Sequence, residues 1–564
     1  MGNLLIRDIA VIDGTGGERF RADVVIDGGR IAEIAAPGTV AGADRILDEG
    51  ENLVLAPGFI DMHAHSDLHL LTDPGHFPKL SQGITTEVIG QDGLSYAPID
   101  DAALAIVRRQ IAGWNGNPAE FDFSWRTVAE YLDRLDTAGI TPNAAYLVPQ
   151  GTLRLMTVGT EQRPATTAEI QHMRLLLRQA LSEGAVGMSS GLTYTPGMYA
   201  DTSELAALCE VVAEFGGFYA PHTRSYGAGA LDAYAEMIDL SRRTGCALHL
   251  THATMNFGEN RGRAPEFLAM IDAALADGCD ISLDTYPYLP GSTTLSALLP
   301  SWAMSGGPDA ALARIADPEA RARIIQDVNV NGSDGCHGVT VEWETIQISG
   351  VANRDLGAFV GRTVADIAAD QGRPPVEVFF ELLTRDQLAT TILQHVGHEE
   401  NVRAIMRHPR HMGGSDALLV GDRPHPRAWG TFPRYLGHYT RELGVLTLED
   451  CVHHLTGRPA ARLRLRDRGL IRPGYAADLV LFDPATVIDT ATFEQPKQQA
   501  RGIAYVLVNG EFALDAGKPT GIRAGRALRM DAALGETRAP GLGAGRRYCP
   551  SPPERRFDDR RRRH

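Results

Sequence analysis

Apolar, strand-like runs alternate with helical stretches through the middle of the chain, and short strands separated by Gly- and Asp-rich turns dominate both ends. Alternating strands and helices are typical of a parallel sheet, and about eight such units are typical of a closed barrel. The sequence therefore predicts an α/β protein, a TIM-type (β/α)8 barrel with a small β-sandwich domain built from both chain ends.

Composition excludes several classes of protein. The chain has 564 residues with a formal net charge of -16, and this acidic balance argues against a nucleic-acid partner. The sequence lacks a run of about 18 apolar residues, which excludes a membrane span, and the first residues do not read as a secretory signal. The six cysteines form no CxxC pair and are expected to be reduced. We expect a cytoplasmic protein with a small-molecule partner, whose oligomeric state the sequence leaves open.

Composition shifts along the chain predict four segments. Residues 1–56 and 466–530 alternate like short strands and are assigned to the N-terminal and C-terminal halves of the β-domain. Residues 57–465 are assigned to the barrel, with an insertion at about 290–345 that is too long for one crossover. Residues 531–564 are Gly-, Pro- and Arg-rich, which predicts a disordered tail, with an anion-binding tail as the alternative.

The predicted barrel strands are eight apolar runs, and the active site of such a barrel lies where its strands meet the following loops. The runs are 53–60, 84–90, 144–149, 185–189, 217–220, 247–251, 280–284 and 412–415. Helices are predicted between them, for example from Thr167 to Glu183 and from Glu204 to Phe215.

Histidines follow three of these predicted strands. The first strand leads into His63 and His65, which share one face of an extended backbone and can reach the same metal ion. The fifth and sixth strands end at His222 and His252. Either of these alone is compatible with a buried structural histidine, but their places at consecutive strand ends favour a metal site.

Two aspartates follow the eighth and the second predicted strands. Asp416 suits a metal ligand or the general base that takes a proton from an activated water, and a helix N-cap is a compatible alternative. Asp92 stands in Gly90-Gln91-Asp92-Gly93, where it is either a carboxylate ligand or part of an Asp-Gly turn.

Several blocks taken together resemble the amidohydrolase superfamily, and within it the D-aminoacylase branch, over most of residues 1–525. They are Pro57 to His65, Gln82 to Thr86, Gly191 to Gly197, Asp284 to Tyr288, Gly414 to Asp416, His425 to Thr431 and Gly474 to Leu479. The resemblance implies zinc bound as one or two ions, with Asp416 as the catalytic aspartate. The ligands it implies are His63, His65, His222 and His252.

The chain departs from its relatives after the second, third and sixth strands, and it lacks a lysine that other amidohydrolases carry. The third-strand turn, often Gly-His in relatives, is Pro149-Gln150-Gly151. The second-strand position, usually cysteine in relatives, is Asp92, whose harder oxygen admits iron or manganese beside zinc. The fourth strand lacks the lysine that bridges two metals in other amidohydrolases, and Lys79, Lys497 and Lys518 are the only lysines in the sequence. Thr254 occupies the place of a lysine that helps to hold the substrate carboxylate. The remaining candidate substrate anchors are Tyr194, Tyr286, Tyr288 and Arg427.

The predicted reaction is hydrolysis of the amide of an N-acyl amine, with an N-acyl-D-amino acid as the first substrate to test. The nucleophile is a metal-activated hydroxide, and Asp416 is the general base. Two alternatives stay open at this point. One is a cyclase that condenses an amine onto an amide carbonyl within a carboxylate-free substrate, and the other is a barrel that serves only as a binding module.

Overall fold

A TIM-type barrel forms the centre of the protein, as predicted. The computed structural model describes residues 2–49 and 51–530, so the predicted tail at 531–564 lies outside the described residues. Eight parallel strands neighbour one another in chain order. In that order they are Phe59–Asp61, Ile84–Ile89, Asn143–Pro149, Gly187–Gly191, Phe218–His222, Ala247–Leu250, Ile281–Thr285 and His411–Gly413, referred to below as the first to eighth barrel strands.

The barrel strands are buried on both faces, as parallel strands covered by helices must be. Every residue of the second strand, Ile84–Ile89, is buried, including its Glu87. The first and eighth strands close the barrel through their following residues: the backbone N–H of Met62 donates to the Gly413 carbonyl at 3.1 Å, and Ala64 forms a parallel bridge with Ala417. The carboxyl ends of all eight strands therefore open toward one side of the barrel.

Helices connect the barrel strands and begin at capped residues. Thr166 and Glu169 form a reciprocal capping box, and the Asp201 carboxylate accepts the N–H of Glu204, so these two helices begin where their first backbone donors are satisfied. The α-helices up to the seventh strand are His69–Thr72, Phe77–Leu80, Asp101–Gln110, Ala112–Asn115, Val128–Ala138, Gln150–Thr157, Thr167–Ser182, Thr202–Phe215, Ala230–Thr244 and Ala264–Ala276. After the seventh strand come Glu399–Met406, Arg427–Arg434, Leu448–Leu455 and Gly457–Arg462, besides the helices of the intervening segment.

A separate nine-stranded sheet unites both ends of the chain. Its strands are, in spatial order, Lys518–Pro519, Glu511–Asp515, Ile503–Val508, Leu479–Phe482, Val54–Pro57, Leu4–Val11, Phe20–Asp27 and Arg30–Ala35, and Arg45–Leu47 pairs beside Leu4–Val11. The ends meet where Val54–Pro57 pairs antiparallel with Leu479–Phe482. A short strand near the end of the described chain, Ala527–Leu528, instead pairs parallel with the third barrel strand.

The run predicted as one strand at 53–60 is two strands in two different sheets, so that prediction is corrected. Val54–Pro57 belongs to the nine-stranded sheet and Phe59–Asp61 to the barrel, with Gly58 between them. A Cβ atom at Gly58 would lie 2.2 Å from a methyl carbon of Thr85. The chain therefore passes from one sheet to the other through a glycine, because any side chain there would collide with the second barrel strand.

The segment between the seventh and eighth barrel strands carries its own small sheet. Gly291–Thr294 and Ile346–Gly350 both pair antiparallel with Thr391–Gln394, and an apolar core lies behind this sheet. Its helices are Ser301–Met304, Pro308–Ala316, Pro318–Gln326, Val364–Gln371 and Pro375–Arg385. The elaborated region thus runs well beyond residue 345.

Among the described residues, no helix has both the length and the apolar character needed to cross a membrane.

Candidate metal centre

His63 and His65 lie side by side at the carboxyl end of the first barrel strand. Their alternation on an extended backbone turns both rings toward the barrel axis, and the two Nε2 atoms are 3.3 Å apart. Both side chains are buried. One pair of imidazole nitrogens thus faces the space where the strands converge.

His222 and His252 form a second pair at the ends of the fifth and sixth strands. His222 Nδ1 lies 3.1 Å from His252 Nε2. The other nitrogen of His222, Nε2, lies 2.7 Å from the Thr193 hydroxyl, and the backbone N–H of His252 donates to Asp284 Oδ1 at 2.9 Å. Thr193 therefore orients the His222 ring and Asp284 holds the His252 backbone, and Nδ1 of His222 faces Nε2 of His252.

Asp92 lies at the centre of the four histidines. Its carboxylate oxygens are 3.6 Å from His63 Nε2, 3.5 Å from His65 Nε2, 3.6 Å from His222 Nδ1 and 3.5 Å from His252 Nε2. The backbone of Asp92 is left-handed with φ +54°, and Gly90 and Gly93 on either side also have positive φ. A Cβ at Gly90 would lie 2.2 Å from a backbone carbonyl oxygen. This glycine-rich turn brings the aspartate inward at the cost of backbone strain, which is typical of functional sites.

Asp416 completes the arrangement from the end of the eighth strand. Its Oδ1 lies 3.3 Å from His65 Nε2 and 3.7 Å from His63 Nε2, while its Oδ2 lies 3.0 Å from Nη1 of the buried Arg427. Burial alone would raise the pKa of Asp416, but Arg427 and the histidines outweigh it and hold that pKa below its usual range. The carboxylate is therefore ionised at neutral pH.

The donor atoms form two clusters that share Asp92, each with all of its ligand atoms within 4.8 Å of one another. The four-residue cluster comprises His63, His65, Asp92 and Asp416. The three-residue cluster comprises Asp92, His222 and His252. The structure thus brings together all six residues that the sequence singled out as metal ligands.

The electrostatics of this group fit a divalent cation. Burial raises the pKa of Asp92, but the surrounding histidines lower it well below its usual range, while Asp416 and Asp92 overcome the effect of burial and raise the pKa of His65 to about 9. Burial lowers the pKa of His63 to about 4, so this imidazole is neutral and free to ligate. Asp92 Oδ1 is buried without a hydrogen-bond partner among the described residues. Imidazole nitrogens and carboxylate oxygens at such spacing are the donor set of zinc sites.

A cavity of about 550 Å³ opens above the two clusters. Tyr194, Tyr286 and Thr254 contribute to its wall, as does the half-buried His337, which lies in the segment between the seventh and eighth strands. A second cavity of about 610 Å³ adjoins it, and Trp114 and Tyr194 line both. The clusters therefore lie at the base of a pocket, where a small organic substrate would reach them.

The two other predicted substrate anchors occupy different surroundings. Tyr288 directs its hydroxyl to Asp489 at 3.4 Å and is not part of the cavity wall. Arg427 is fully buried beside Asp416, with its Cζ 4.5 Å from the centre of the Tyr286 ring. The guanidinium therefore acts on the cavity through Asp416 and Tyr286.

Asp284 is a site residue that sequence reasoning missed. Its Oδ2 lies 2.9 Å from His249 Nε2 and 4.0 Å from His63 Nδ1, while its Oδ1 accepts the backbone N–H of His252. One buried carboxylate thus lies close to a member of each cluster and holds the backbone of His252. The feature of the sequence that could have identified Asp284 is its position near the end of the seventh barrel strand, where site residues are expected.

A TIM-type barrel whose strand ends present histidines and aspartates in two adjoining clusters defines a metal-dependent hydrolase. Comparison with known proteins gives the family. Residues 50–513 match the model of the amidohydrolase family. The chain is 37% identical over 538 residues to D-aminoacylase of Alcaligenes xylosoxydans xylosoxydans, covering 94% of this chain and 98% of that one. The protein therefore belongs to the amidohydrolase family, within its D-aminoacylase branch.

Solved structures agree with this assignment. The fold matches N-acyl-D-glutamate deacylase of Bordetella bronchiseptica, complexed with zinc and a phosphonate mimic of the tetrahedral intermediate, with a TM-score of 0.78, 35% identity and coverage of 93% of this chain and 99% of that one. It also matches a D-aminoacylase studied for its binuclear metal center, with a TM-score of 0.77, 35% identity and the same coverage of both chains. These relatives favour hydrolysis over the cyclase alternative.

Proposed function

We propose that this protein is a metal-dependent deacylase that hydrolyses the amide bond of N-acyl-D-amino acids. The observation that carries the proposal is the position of Asp92, whose carboxylate faces all four histidines while Asp416 stands ionised beside it. The relatives named D-aminoacylase and N-acyl-D-glutamate deacylase support the substrate class.

The residues that would hold the metal are the members of the two clusters. Asp92 would contribute to both positions, because its Oδ1 lies near His63 and His252 and its Oδ2 near His65 and His222. A divalent metal bound there lowers the pKa of water from about 15.7 toward about 7 and polarises an amide carbonyl. Zinc is the first metal to test, and the carboxylate of Asp92 also suits iron or manganese.

Asp416 would move the proton in the proposed reaction. As an ionised carboxylate it takes the proton from the attacking water, and it returns that proton to the departing amine nitrogen. Arg427 Nη1 forms an ion pair with its Oδ2 at 3.0 Å, while Oδ1 faces the histidines. The ion pair therefore sets which oxygen is available for proton transfer.

Tyr194 and Tyr286 would contact the substrate, since both line the cavity. Arg427 lies behind Tyr286, and its Nε has no hydrogen-bond partner among the described residues. Its positive charge would favour an anionic substrate end near Tyr286, in place of the lysine that is replaced here by Thr254. Tyr288 lies outside the cavity wall, with its hydroxyl 3.4 Å from an Asp489 carboxylate oxygen, so it is not expected to contact the substrate.

The test is mass spectrometry of products from zinc-loaded protein. The substrates are N-acetyl-D-leucine, N-acetyl-D-glutamate, their L enantiomers and an N-alkylacetamide that lacks a carboxylate, and the control is the same preparation after chelation. We expect free D-amino acid to appear only with metal. Metal-loaded protein that leaves both D substrates intact would contradict the proposal.

A further inference from the structure

One lysine is fully buried beside the first and second barrel strands, which carry three of the four members of the four-residue cluster. Lys79 lies in the short helix Phe77–Leu80, between the first and second strands, and its side chain has no exposed surface. The other lysines of the sequence, Lys497 and Lys518, are exposed. A buried ammonium strongly destabilises a fold unless it is paired and hydrogen-bonded, so its contacts define its role.

The Lys79 ammonium has three oxygen partners. Nζ lies 2.6 Å from Asp61 Oδ2, 2.7 Å from Glu87 Oε1 and 3.0 Å from Ser415 Oγ, so each of its three protons has an acceptor. Asp61 ends the first barrel strand, Glu87 lies in the second, and Ser415 follows the eighth. One charged group therefore joins three strands.

These three strands carry every member of the four-residue cluster. His63 and His65 follow the first strand, Asp92 follows the second and Asp416 follows the eighth. The three-residue cluster shares Asp92, but its histidines stand at the ends of the fifth and sixth strands and have other partners. Thr193 contacts the His222 ring, and Asp284 accepts the backbone N–H of His252. The lysine network thus underlies one metal position and is separate from the histidines of the other.

Asp61 transmits the effect of the ammonium to the backbone of the ligand loops. Its Oδ1 accepts the backbone N–H of Ser415 at 2.8 Å and that of His63 at 3.2 Å, and its Oδ2 accepts the Ser415 hydroxyl at 2.6 Å. The Ser415 hydroxyl also reaches the His63 carbonyl, at 3.2 Å. A single carboxylate therefore holds both His63 and the residue before Asp416.

Glu87 extends the same network to the residue after His65. Its Oε1 accepts the Ser66 hydroxyl at 3.1 Å, and its Oε2 lies 2.7 Å from His76 Nε2. With Lys79 removed, Asp61 and Glu87 would be two buried carboxylates without the cation between them. Their repulsion would separate the first and second strands where the ligands begin.

We propose that Lys79 is a positioning residue for the metal position formed by His63, His65, Asp92 and Asp416, which it assembles by tying the first, second and eighth barrel strands to one ammonium. This inference rests on the proposed function, because it assumes that both clusters bind metal. Lys79 does not touch the reacting atoms. Its loss weakens the four-residue position and leaves the three-residue position filled.

The experiment is an equilibrium zinc titration of wild type, Lys79→Met and Lys518→Met, the last being the matched control at an exposed lysine. Wild type and control should bind two zinc ions per chain. Lys79→Met should retain one ion and bind the second about 10- to 100-fold more weakly, the usual effect of losing a group that orients metal ligands. The same comparison in a His222→Ala background isolates the four-residue position.

Two further variants separate positioning from folding. Lys79→Met/Glu87→Gln removes the repulsion between the carboxylates, so it should recover thermal stability while the second zinc stays weakly bound. Ser415→Ala removes one contact of Lys79 without leaving a charge unpaired and should weaken the same position in a folded protein.

The outcomes are distinct. Two zinc steps of wild-type affinity in Lys79→Met, or full recovery of zinc affinity in the double variant, would overturn the inference. If Lys79→Met does not fold, wild-type zinc affinity in Ser415→Ala would overturn it instead. A wild-type protein that binds no zinc would contradict the proposed function itself.

Discussion

Replacing Asp416 with asparagine tests the proposed role of this residue in proton transfer. The side chain keeps its size but loses its charge and its ability to accept a proton. In the structure Oδ2 pairs with Arg427 at 3.0 Å and Oδ1 lies 3.3 Å from His65 Nε2. An asparagine amide has one oxygen that accepts hydrogen bonds and one NH₂ group that donates them. Because the Arg427 guanidinium can only donate, the amide oxygen should face Arg427 and the NH₂ group should face His65.

The expected loss of turnover follows from the chemistry. A positioned general acid–base group contributes about 10²–10⁴ in rate. At about 1.36 kcal/mol per tenfold, the barrier should rise by about 3–5 kcal/mol. The three-residue cluster does not include Asp416, so at least one metal ion should remain bound. The predicted phenotype is a folded, metal-containing protein with kcat lowered by that factor.

The assay is steady-state release of D-amino acid together with the metal content of the same sample. Asp478→Asn is the matched control, because Asp478 is also buried and paired with an arginine, Arg468, but lies at the nine-stranded sheet. The control should lose stability and keep its kcat. Turnover of Asp416→Asn within tenfold of wild type would refute the role given to Asp416.

Three other predictions concern the metal and the substrate. Asp92→Ala should lower the metal content measured by elemental analysis, because both clusters lose a ligand, and full occupancy would mean that Asp92 is only a turn residue. The metal-free protein should lose stability as the pH rises through about 9. The folded-state pKa of His65 is raised to about 9 from its usual 6.5, so the proton that stabilises the folded state is lost over this range. A melting temperature that stays constant between pH 7 and 10 would contradict this. Thr254→Lys should lower KM for N-acyl-D-amino acids without changing KM for carboxylate-free amides, and an equal effect on both would show that the cavity wall near Thr254 does not contact the carboxylate.

Much of the architecture could be predicted because it follows from local patterns. Buried parallel strands appear as continuous apolar runs, so the second to eighth barrel strands were found to within a few residues. The helices predicted from Thr167 to Glu183 and from Glu204 to Phe215 are present as Thr167–Ser182 and Thr202–Phe215. The division at Gly58 was missed because the apolar run continues across it, and only the approach of Thr85 makes the break necessary.

The candidate site could be predicted as a set of residues but not as an arrangement. His63, His65, His222 and His252 stood out because polar residues at strand ends meet at one edge of a barrel. Asp92 lies at a similar distance from all four histidines only because the barrel closes and the turn around it is left-handed. In the sequence this turn is visible only as glycines on either side of an aspartate. The pairing of Arg427 with Asp416 is likewise a tertiary contact, made by residues from separate loops.

Lys79 shows why long-range electrostatics were missed. A lone lysine in an arginine-rich chain reads as a solvated charge, and its partners Asp61 and Ser415 stand 18 and 336 positions away. Their proximity exists only once the first and eighth strands close the barrel. The same closure creates the metal centre, which is why the network and the site could not be inferred separately.

The most direct test of the central claim is zinc-anomalous diffraction from crystals of the zinc-loaded protein. The account predicts two peaks, one among His63, His65 and Asp416 and the other between His222 and His252, with the Asp92 carboxylate in contact with both. Zinc peaks away from these side chains, or an Asp92 carboxylate turned from both ions, would contradict it.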